Sequence, residues 1–279
     1  MKTVISASRR TDIPAFYLDW FTDKIRQGHI DLTNPFNPQQ KKRISLLPQD
    51  VEWIVFWSRN YARFLEKRSE FKDFNLFFHF TILPKSDLEK AGIPLSSALK
   101  QLNTLAELYG PEHIIWRYDP LVYWYEYDKL QTNHSIQEFK QLCFEVSQTK
   151  VRQCYISFAH PYKKFEDRMR KKFPQRKIYH HSIENKLLIL QEMNAAAKQY
   201  KIQLYSCSNE DLLIFPEIAK GHCINGSLLN KLSHNKNVSE AKAPSRPGCG
   251  CTKSIDIGSY VRQPCHFGCI YCYANPVWE

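Results

Sequence analysis

The chain has 279 residues, of which 43% are hydrophobic, enough to fill the core of one large domain or of a domain with an appendage. Its formal net charge of +11 favours anionic partners. No apolar run approaches the length that spans a bilayer and the chain starts without a secretory segment, so we predict a cytoplasmic protein with no membrane partner. In that compartment, nine cysteines indicate metal or cluster binding rather than a disulfide framework.

Short β-branched and aromatic runs alternate with helical patterns along the chain, which is typical of βα units around a mostly parallel sheet. The predicted strands are 3–7, 52–57, 76–82, 113–117, 153–158 and 202–207. Apolar stripes and capping signals predict helices near 16–25, over 95–109, after Ser135 and over 183–199. Six or more such units predict an α/β fold of the TIM-type (βα) barrel, complete or partial.

Charged side chains recur where four of these strands end. Active sites of barrels are built at the carboxyl ends of the strands, so such residues are candidates for chemistry. The alternative is that each one caps a strand and satisfies loop backbone, but recurrence across four strands favours a site. The candidate catalytic residues are Arg10, Asp12, Arg59, Arg117, Asp119 and Glu210.

A cysteine triplet near the end of the chain has the spacing C-x3-C-x2-C. Its members, Cys265, Cys269 and Cys272, can hold three corners of a 4Fe-4S cluster. One iron is then left open to a small chelating ligand. Structural zinc sites usually use two separated pairs of ligands, so the triplet favours an iron-sulfur cluster over zinc.

A second set of cysteines, the cysteine quartet, is spaced irregularly. Cys207, Cys223, Cys249 and Cys251 are enough to complete a closed zinc site or a second 4Fe-4S cluster. The competing interpretation is that they are ordinary buried thiols.

These features divide the chain into three predicted parts. Residues 1–230 form the barrel body, residues 231–247 a polar connector, and residues 248–279 a cysteine-rich, cluster-binding segment that completes the barrel mouth. If residues 254–260 form one more strand, the triplet loop projects from the same rim as Arg10 and Asp12. A position of Cys269 away from the carboxyl ends of the strands would contradict this arrangement.

Several motifs carry a resemblance to a known family. They are SASRRTDIP at 6–14, NPFNP at 34–38, FWSRN at 56–60, WRYDP at 116–120 and the block from 246 to 275. Over nearly the whole chain the sequence resembles the family called domain of unknown function DUF1848. The triplet with Tyr271 before its last cysteine also resembles the signature of radical S-adenosylmethionine enzymes.

The second resemblance implies a cofactor and a reaction. A 4Fe-4S cluster on the triplet would bind S-adenosylmethionine, cleave it reductively and generate a 5′-deoxyadenosyl radical that abstracts hydrogen from a substrate. Tyr271 and Gly268 would bind this cofactor, and an electron donor such as a flavodoxin or ferredoxin would be the partner. The arginines at the barrel mouth would bind a small anionic substrate.

A different function remains open on the basis of charge. Residues 163–177 are rich in lysine and arginine with interleaved aromatic residues, as in nucleic-acid binders, although a charge run is usually a solvated face. The alternative is therefore an iron-sulfur or zinc protein of nucleic-acid repair or modification without radical chemistry. Four histidines in polar loops are predicted to be surface groups rather than ligands: His134, His180, His181 and His234.

Overall fold

The computed structural model describes residues 1–34, 37–234, 236–244 and 248–279. Parts of the motif at 34–38, of the connector at 231–247 and of the block at 246–275 lie outside the described residues. Within the described ranges, no helix combines the length and the apolar character needed to cross a membrane.

The strands and helices are numbered in chain order. The strands are β1 (Thr3–Ala7), β2 (His29–Asn34), β3 (Asn37–Ser45), β4 (Val51–Ser58), β5 (Asn75–Thr81), β6 (Ile114–Leu121), β7 (Tyr123–Glu126), β8 (Lys129–Thr132), β9 (Gln153–Phe158), β10 (Arg176–Tyr179), β11 (Gln203–Ser206), β12 (Ala219–Lys220) and β13 (Ile255–Asp256). The helices are α1 (Ile13–Phe16), α2 (Leu18–Gln27), α3 (Ala62–Glu66), α4 (Leu95–Tyr109), α5 (Ile136–Gln148), α6 (Lys163–Lys172), α7 (Ile183–Gln199) and α8 (Gly226–Leu232).

A large parallel sheet organises the molecule. Its eight strands lie in the order β12-β11-β9-β6-β5-β4-β1-β13, and every neighbouring pair is parallel. The predicted α/β class with a parallel sheet is confirmed. In the part of the chain that the structure describes, the edge strands β12 and β13 are not paired with each other, so the sheet is not shown to close into a barrel.

Both faces of the sheet are buried, as expected for parallel strands covered by other elements. Side chains alternate between the faces, so Ile54 and Phe56 of β4 pack in the core beneath the helices, while Trp53 and Val55 pack in a second core on the other face. That second core is covered by α8 and contains part of the cysteine quartet.

Most predicted elements agree with the observed ones, but β6 is longer than expected. It continues to Leu121 because its later residues pair with β9, so Arg117 and Asp119 lie within the strand rather than after it. Two antiparallel sheets were not predicted. They are the hairpin β2-β3 and the three-stranded sheet β10-β7-β8.

The short strand β13 joins the cysteine-rich segment to the main sheet. The arrangement considered from the sequence required a strand within 254–260, and of these residues Ile255 and Asp256 pair with β1. The contact is reinforced by side chains, since Asp256 accepts hydrogen bonds from Ser6 Oγ at 2.7 Å and Ser8 Oγ at 2.6 Å. The segment therefore enters the fold beside β1.

Candidate cysteine-cluster site

The ends of β1 and β4 are joined by one buried carboxylate. Asp12 caps α1 and accepts hydrogen bonds from Ala15 N at 3.0 Å, Ser58 Oγ at 2.7 Å and Arg59 N at 2.9 Å. Burial raises the pKa of Asp12 to about 6, although these hydrogen bonds lower it. Asp12 therefore positions the two loops that follow the strands, and its predicted catalytic role stays a prediction.

The cysteine triplet lies beside these strand ends. Cys269 Sγ is 3.9 Å from Nη1 of Arg59, which directly follows β4. Burial raises the pKa of the Cys265 thiol, and the nearby carboxylate of Asp12 raises it further. Burial also raises the pKa of Cys269 to about 12. The triplet loop therefore lies at the carboxyl edge of the sheet, as expected from the sequence, and its thiols are protonated at neutral pH.

Backbone contacts fasten the triplet loop to the segment before α4. Ile270 N donates to Leu88 O at 3.0 Å, and Lys90 N donates to Phe267 O at 3.1 Å. Gly268 allows this close approach, because it has φ +65° and a Cβ there would lie 2.5 Å from Lys90 Cβ. The structure thus gives Gly268 a conformational role, while its predicted contact with a cofactor stays a prediction.

A buried arginine fastens the other side of the loop. Arg168 of α6 is 7% exposed and donates to the carbonyl oxygens of Ile270 at 3.2 Å and Ala274 at 2.8 Å, and also to that of Cys272. In the sequence, Arg168 belongs to a basic run, and its role was missed. Arg168 and Met169 lie three and four residues after the buried Phe165, on the same face of α6, and this spacing is the signal that could have separated Arg168 from its exposed neighbours.

Arg59 belongs to a buried polar group with Tyr271 and Glu89. Its Nη1 donates to Tyr271 Oη at 3.0 Å and its Nη2 to Glu89 Oε2 at 2.6 Å, while Tyr271 Oη donates to the other oxygen of Glu89. Burial raises the pKa of Tyr271 far above its ordinary value. Sequence reasoning selected Arg59 and Tyr271 but missed Glu89, which follows no strand and has no motif around it.

The cysteine quartet converges on the face of the sheet that α8 covers. Cys207 Sγ lies 3.4 Å from Cys223 Sγ, and Cys249 and Cys251 pack in the same hydrophobic cluster as these two residues. Residues from the end of β11, the loop before α8 and the segment after residue 248 are thereby brought together.

Arg117 and Asp119 lie next to this quartet. Arg117 Nη1 donates to Cys223 Sγ at 3.1 Å, and Nη2 lies 3.7 Å from Cys207 Sγ. The same guanidinium holds both carboxylate oxygens of Asp119, which also accepts from Ser157 Oγ at 3.3 Å. The two predicted residues are thus neighbours, but their partners are the quartet thiols and each other.

A buried histidine that sequence reasoning missed adjoins the quartet. His79 Nε2 lies 2.7 Å from Cys223 O and must donate to it, because a carbonyl only accepts. Burial, and then the charge of Arg117, places the pKa of His79 well below its ordinary value. Its other nitrogen, Nδ1, is a buried acceptor without a hydrogen-bond partner in the described ranges.

The remaining two predicted residues have other surroundings. Arg10 donates to Gly258 O at 3.0 Å and lies 3.6 Å from Asp256, so it holds the segment after β13. Glu210 is exposed and pairs with Lys220 at 2.5 Å, and this ion pair includes no residue of either cysteine set. Nothing in these contacts points to catalysis by Glu210.

The thiols are gathered but not set around an ion. Across residues 1–34, 37–234, 236–244 and 248–279, no group of three or more His, Cys, Asp or Glu side chains is arranged so that it could hold a metal ion as it stands. All nine cysteines are free thiols.

Comparison with known proteins identifies the family. The model of the family described as "Domain of unknown function (DUF1848)" matches residues 4–274. The chain belongs to the DUF1848 family. No curated protein matches this DUF1848 chain. Among solved structures, one described as the crystal structure of D-hydantoinase aligns with a TM-score of 0.31 and 9% identity, covering 66% of this chain and 37% of that one. A likeness this weak carries no argument about the DUF1848 chain.

The family match covers both cysteine sets and their partners, so the site belongs to the part of the molecule that defines DUF1848. The triplet lies beside Arg59, Tyr271 and Asp12, while Arg117 and Asp119 lie beside the quartet. The predicted residues next to the cysteines therefore form two neighbourhoods, and Arg10 and Glu210 belong to neither in their direct contacts.

Proposed function

We propose that this DUF1848 protein holds a 4Fe-4S cluster on Cys265, Cys269 and Cys272 and acts as a radical S-adenosylmethionine enzyme. The observation that carries the proposal is the position of the three thiols on one fastened loop at the carboxyl edge of an eight-stranded parallel sheet. With its strands in nearly sequential order, this sheet corresponds to the proposed barrel opened between β12 and β13.

The donor set suits an iron-sulfur cluster. Thiolates are the ligands of such clusters, and three of them leave one iron open. Burial raises the pKa of Cys269 and Cys272, but Arg59 lowers the first and Arg168 lowers the second. These two guanidinium groups therefore offset part of the negative charge that ligation brings into the buried loop.

When bound, such a cluster supplies one electron and an open iron for the amino and carboxylate groups of S-adenosylmethionine. This chain's own residues orient and enclose it. Glu89 holds Arg59 beside Cys269 and orients the Tyr271 hydroxyl, while Phe267 and Ile270 are buried and exclude water from the loop. A flavodoxin or ferredoxin as electron donor suits the net charge of +11, since an acidic partner is attracted to a basic surface.

For the quartet we propose a zinc ion or a second cluster, and one distance favours zinc. The 3.4 Å between the sulfurs of Cys207 and Cys223 is close to the ~3.8 Å edge of a tetrahedron with zinc-sulfur bonds of about 2.3 Å. The irons of a cubane hold their thiolates farther apart than a single ion does. Metal analysis of a Cys269→Ala variant, which retains the quartet, would distinguish zinc from iron.

The test is electron paramagnetic resonance of protein purified and reduced without oxygen, recorded with and without S-adenosylmethionine. We expect a four-iron signal that changes when S-adenosylmethionine is added. Cys269→Ala should lose the responsive signal, whereas Cys143→Ala, a buried thiol of α5 outside both sets, should keep it. The proposal would be contradicted by a spectrum that does not change when S-adenosylmethionine is added, or by a responsive signal that is the same in Cys269→Ala as in the parent protein.

The second candidate is nucleic-acid binding without radical chemistry, and the surface of α6 favours it. Arg170 and Lys171 have 77% and 72% of their side chains exposed. Fluorescence anisotropy with labelled single- and double-stranded oligonucleotides would test it. Affinity that falls steeply with salt and drops in Arg170→Ala would support this function.

A further inference from the structure

A strongly exposed apolar side chain lies beside the cysteine triplet. Val261 is 85% exposed, and among the large apolar residues of the described chain only Met1 is more exposed. It belongs to a turn at 259–263 that ends two residues before Cys265. Single exposed apolar residues are common, so exposure alone indicates no partner. The rigidity, the surroundings and the charge of this turn are what distinguish it.

The 259–263 turn is fixed by its own side chains. Ser259 Oγ accepts hydrogen bonds from Val261 N at 3.4 Å and from Arg262 N at 3.1 Å. Gln263 Oε1 accepts from Ser259 N at 2.9 Å, and Gln263 itself is buried. Because the backbone of the turn is already ordered, binding through Val261 would cost little additional ordering entropy.

Contacts join this turn to the triplet loop and to the start of α6. Asn275 Nδ2 donates to Tyr260 O at 3.1 Å, and Lys164 Nζ donates to Asn275 Oδ1 at 2.9 Å. The ring of Tyr273 lies 6.2 Å from the ring of Tyr162, the N-cap of α6. We name the surface made by the exposed residues of these three elements the turn surface. Its members are Val261, Arg262, Tyr273, Asn275 and Lys164.

The turn surface is positively charged. Arg262 is exposed and forms no ion pair among the described residues, and Lys164 contacts the amide of Asn275 rather than a carboxylate. Residues 257–278 include no aspartate or glutamate. Glu166 lies on another side of α6 from Lys164, because helical residues two apart do not share a face. An exposed apolar side chain beside uncompensated positive charge favours an acidic protein partner.

The turn surface also adjoins two of the proposed cluster ligands. Tyr273, which is 41% exposed, directly follows Cys272 in the chain. Cys272 and Cys265 are partly exposed, whereas Cys269 is buried. A partner that contacts Tyr273 is therefore one residue away from a cysteine of the triplet.

We propose that the turn surface binds a small acidic protein that carries electrons. Val261 and Tyr273 make the apolar contact, and Arg262 and Lys164 attract the acidic groups of the partner. The role of this partner rests on the proposed function: the reduced carrier loses one electron and is oxidised, and the cluster on the triplet gains that electron and is reduced. Docking itself needs neither the cluster nor S-adenosylmethionine.

The test is surface plasmon resonance of the full-length protein with a purified flavodoxin of net negative charge as the probe. We expect saturable binding at about 50 mM salt that is about tenfold weaker at about 200 mM. Arg262→Glu should weaken binding about tenfold, because it replaces an attraction by a repulsion. Val261→Ser should weaken it about threefold through the loss of apolar contact.

The matched control is Lys198→Glu. It changes the net charge by the same amount as Arg262→Glu, at a side chain of α7 that is 61% exposed. The affinity should stay within about twofold of that of the parent protein, because charges away from a docking surface act only through the screened field of the whole protein. Lys164→Glu provides a second variant of the turn surface if Arg262→Glu does not fold.

A second measurement follows the electron in protein that holds its cluster. Reduction of the cluster by reduced flavodoxin should be about tenfold slower in Arg262→Glu, since fewer carriers dock. Photoreduction by a small neutral deazaflavin, which needs no docking surface, should proceed at the same rate in both proteins.

Two outcomes would overturn the proposal: no saturable binding of flavodoxin, or equal weakening by Arg262→Glu and Lys198→Glu. If a labelled single-stranded oligonucleotide binds and depends on Arg262 while flavodoxin does not bind, the surface belongs to nucleic acid instead.

The binding measurement also separates this proposal from that of the cluster. Flavodoxin binding to protein without an iron signal would support the docking surface and contradict the enzyme. A responsive iron signal in protein that binds no flavodoxin would remove the docking surface and keep the enzyme.

Discussion

The cysteine triplet lies on one loop of eight residues, whereas the cysteine quartet is collected from three distant parts of the chain. The triplet loop is fastened through its backbone, by Leu88 on one side and Arg168 on the other. The quartet is held through side chains, with Arg117 reaching two of its sulfurs. The first site thus depends on local chain geometry, and the second on the register of the large sheet.

The largest effect is expected from Arg117→Met, which removes the side chain that contacts Cys223 and Cys207 of the quartet. The ion pair of Arg117 and Asp119 is 13% and 8% exposed, so removing the arginine leaves a buried carboxylate without its partner. We expect the free energy of unfolding to fall by about 3–5 kcal/mol in denaturant titrations. Adding Asp119→Asn should restore part of this loss, and a double variant no more stable than the single one would contradict the explanation.

Arg168→Met removes the side chain that fastens the triplet loop. It should lower the free energy of unfolding by about 3 kcal/mol, because three carbonyl oxygens lose a charged donor. Thermal unfolding together with iron content measures both the stability and the loop. Arg170→Met, two residues along α6 and 77% exposed, is the control and should change neither. Equal effects of the two substitutions would mean that Arg168 does not fasten the loop.

Gly268→Ala should cost about 2 kcal/mol of unfolding free energy, because it places a Cβ where φ is +65° and 2.5 Å from Lys90 Cβ. The matched control is Gly92→Ala, where no atom lies within 4 Å of the added carbon. If both variants melt at the temperature of the parent protein, the loop is looser than its contacts indicate.

The smallest effect concerns proton release when a metal binds. Burial raises the pKa of Cys269 to about 12. In the quartet, one neighbouring thiol lowers the pKa of Cys251 and of Cys223, but a second neighbouring thiol and burial raise each of them overall. Ligation therefore displaces protons, and affinity rises with pH. A site of four thiols should release one proton more than a site of three. Its metal affinity should therefore rise about tenfold more per pH unit, which is ~1.4 kcal/mol. Cobalt titrations from pH 6 to 8 would measure how affinity changes with pH for each set: Cys269→Ala reports on the quartet and Cys251→Ala on the triplet. Equal pH dependences would mean that the two sets do not bind as a quartet and a triplet.

Features that depend on local chain geometry could be predicted from the sequence, whereas those that depend on contacts between distant residues could not. Helices α4, α5 and α7 and strands β1 and β9 are encoded by local periodicity and caps, and the triplet by its spacing, so they were predicted with their observed bounds or positions. The convergence of Cys207 with Cys223, and the partnership of Glu89 with Arg59, depend on contacts between distant residues that no local pattern records.

The same reasoning explains two misassigned residues. Arg168 cannot be told from its basic neighbours by its partners, because it donates to backbone carbonyl oxygens and every residue type has one. His181 lies in a polar stretch, and the burial of its two ring nitrogens comes with its contacts to Tyr123 and Tyr179 on other elements. Both were misread because burial was judged from neighbours in the chain rather than in space.

The bond between Ser8 and Asp256 joins positions 248 residues apart. Until Asp256 has been synthesised, β1 has one unpaired edge, which is a template for association with other chains. The triplet follows Asp256 in the chain, so the proposed cluster could be inserted only after the residues of β13 have been synthesised. Maturation of the protein would then have a fixed order, with completion of the sheet before assembly of the cluster, and shielding by a chaperone would matter most in the interval before β13 is available.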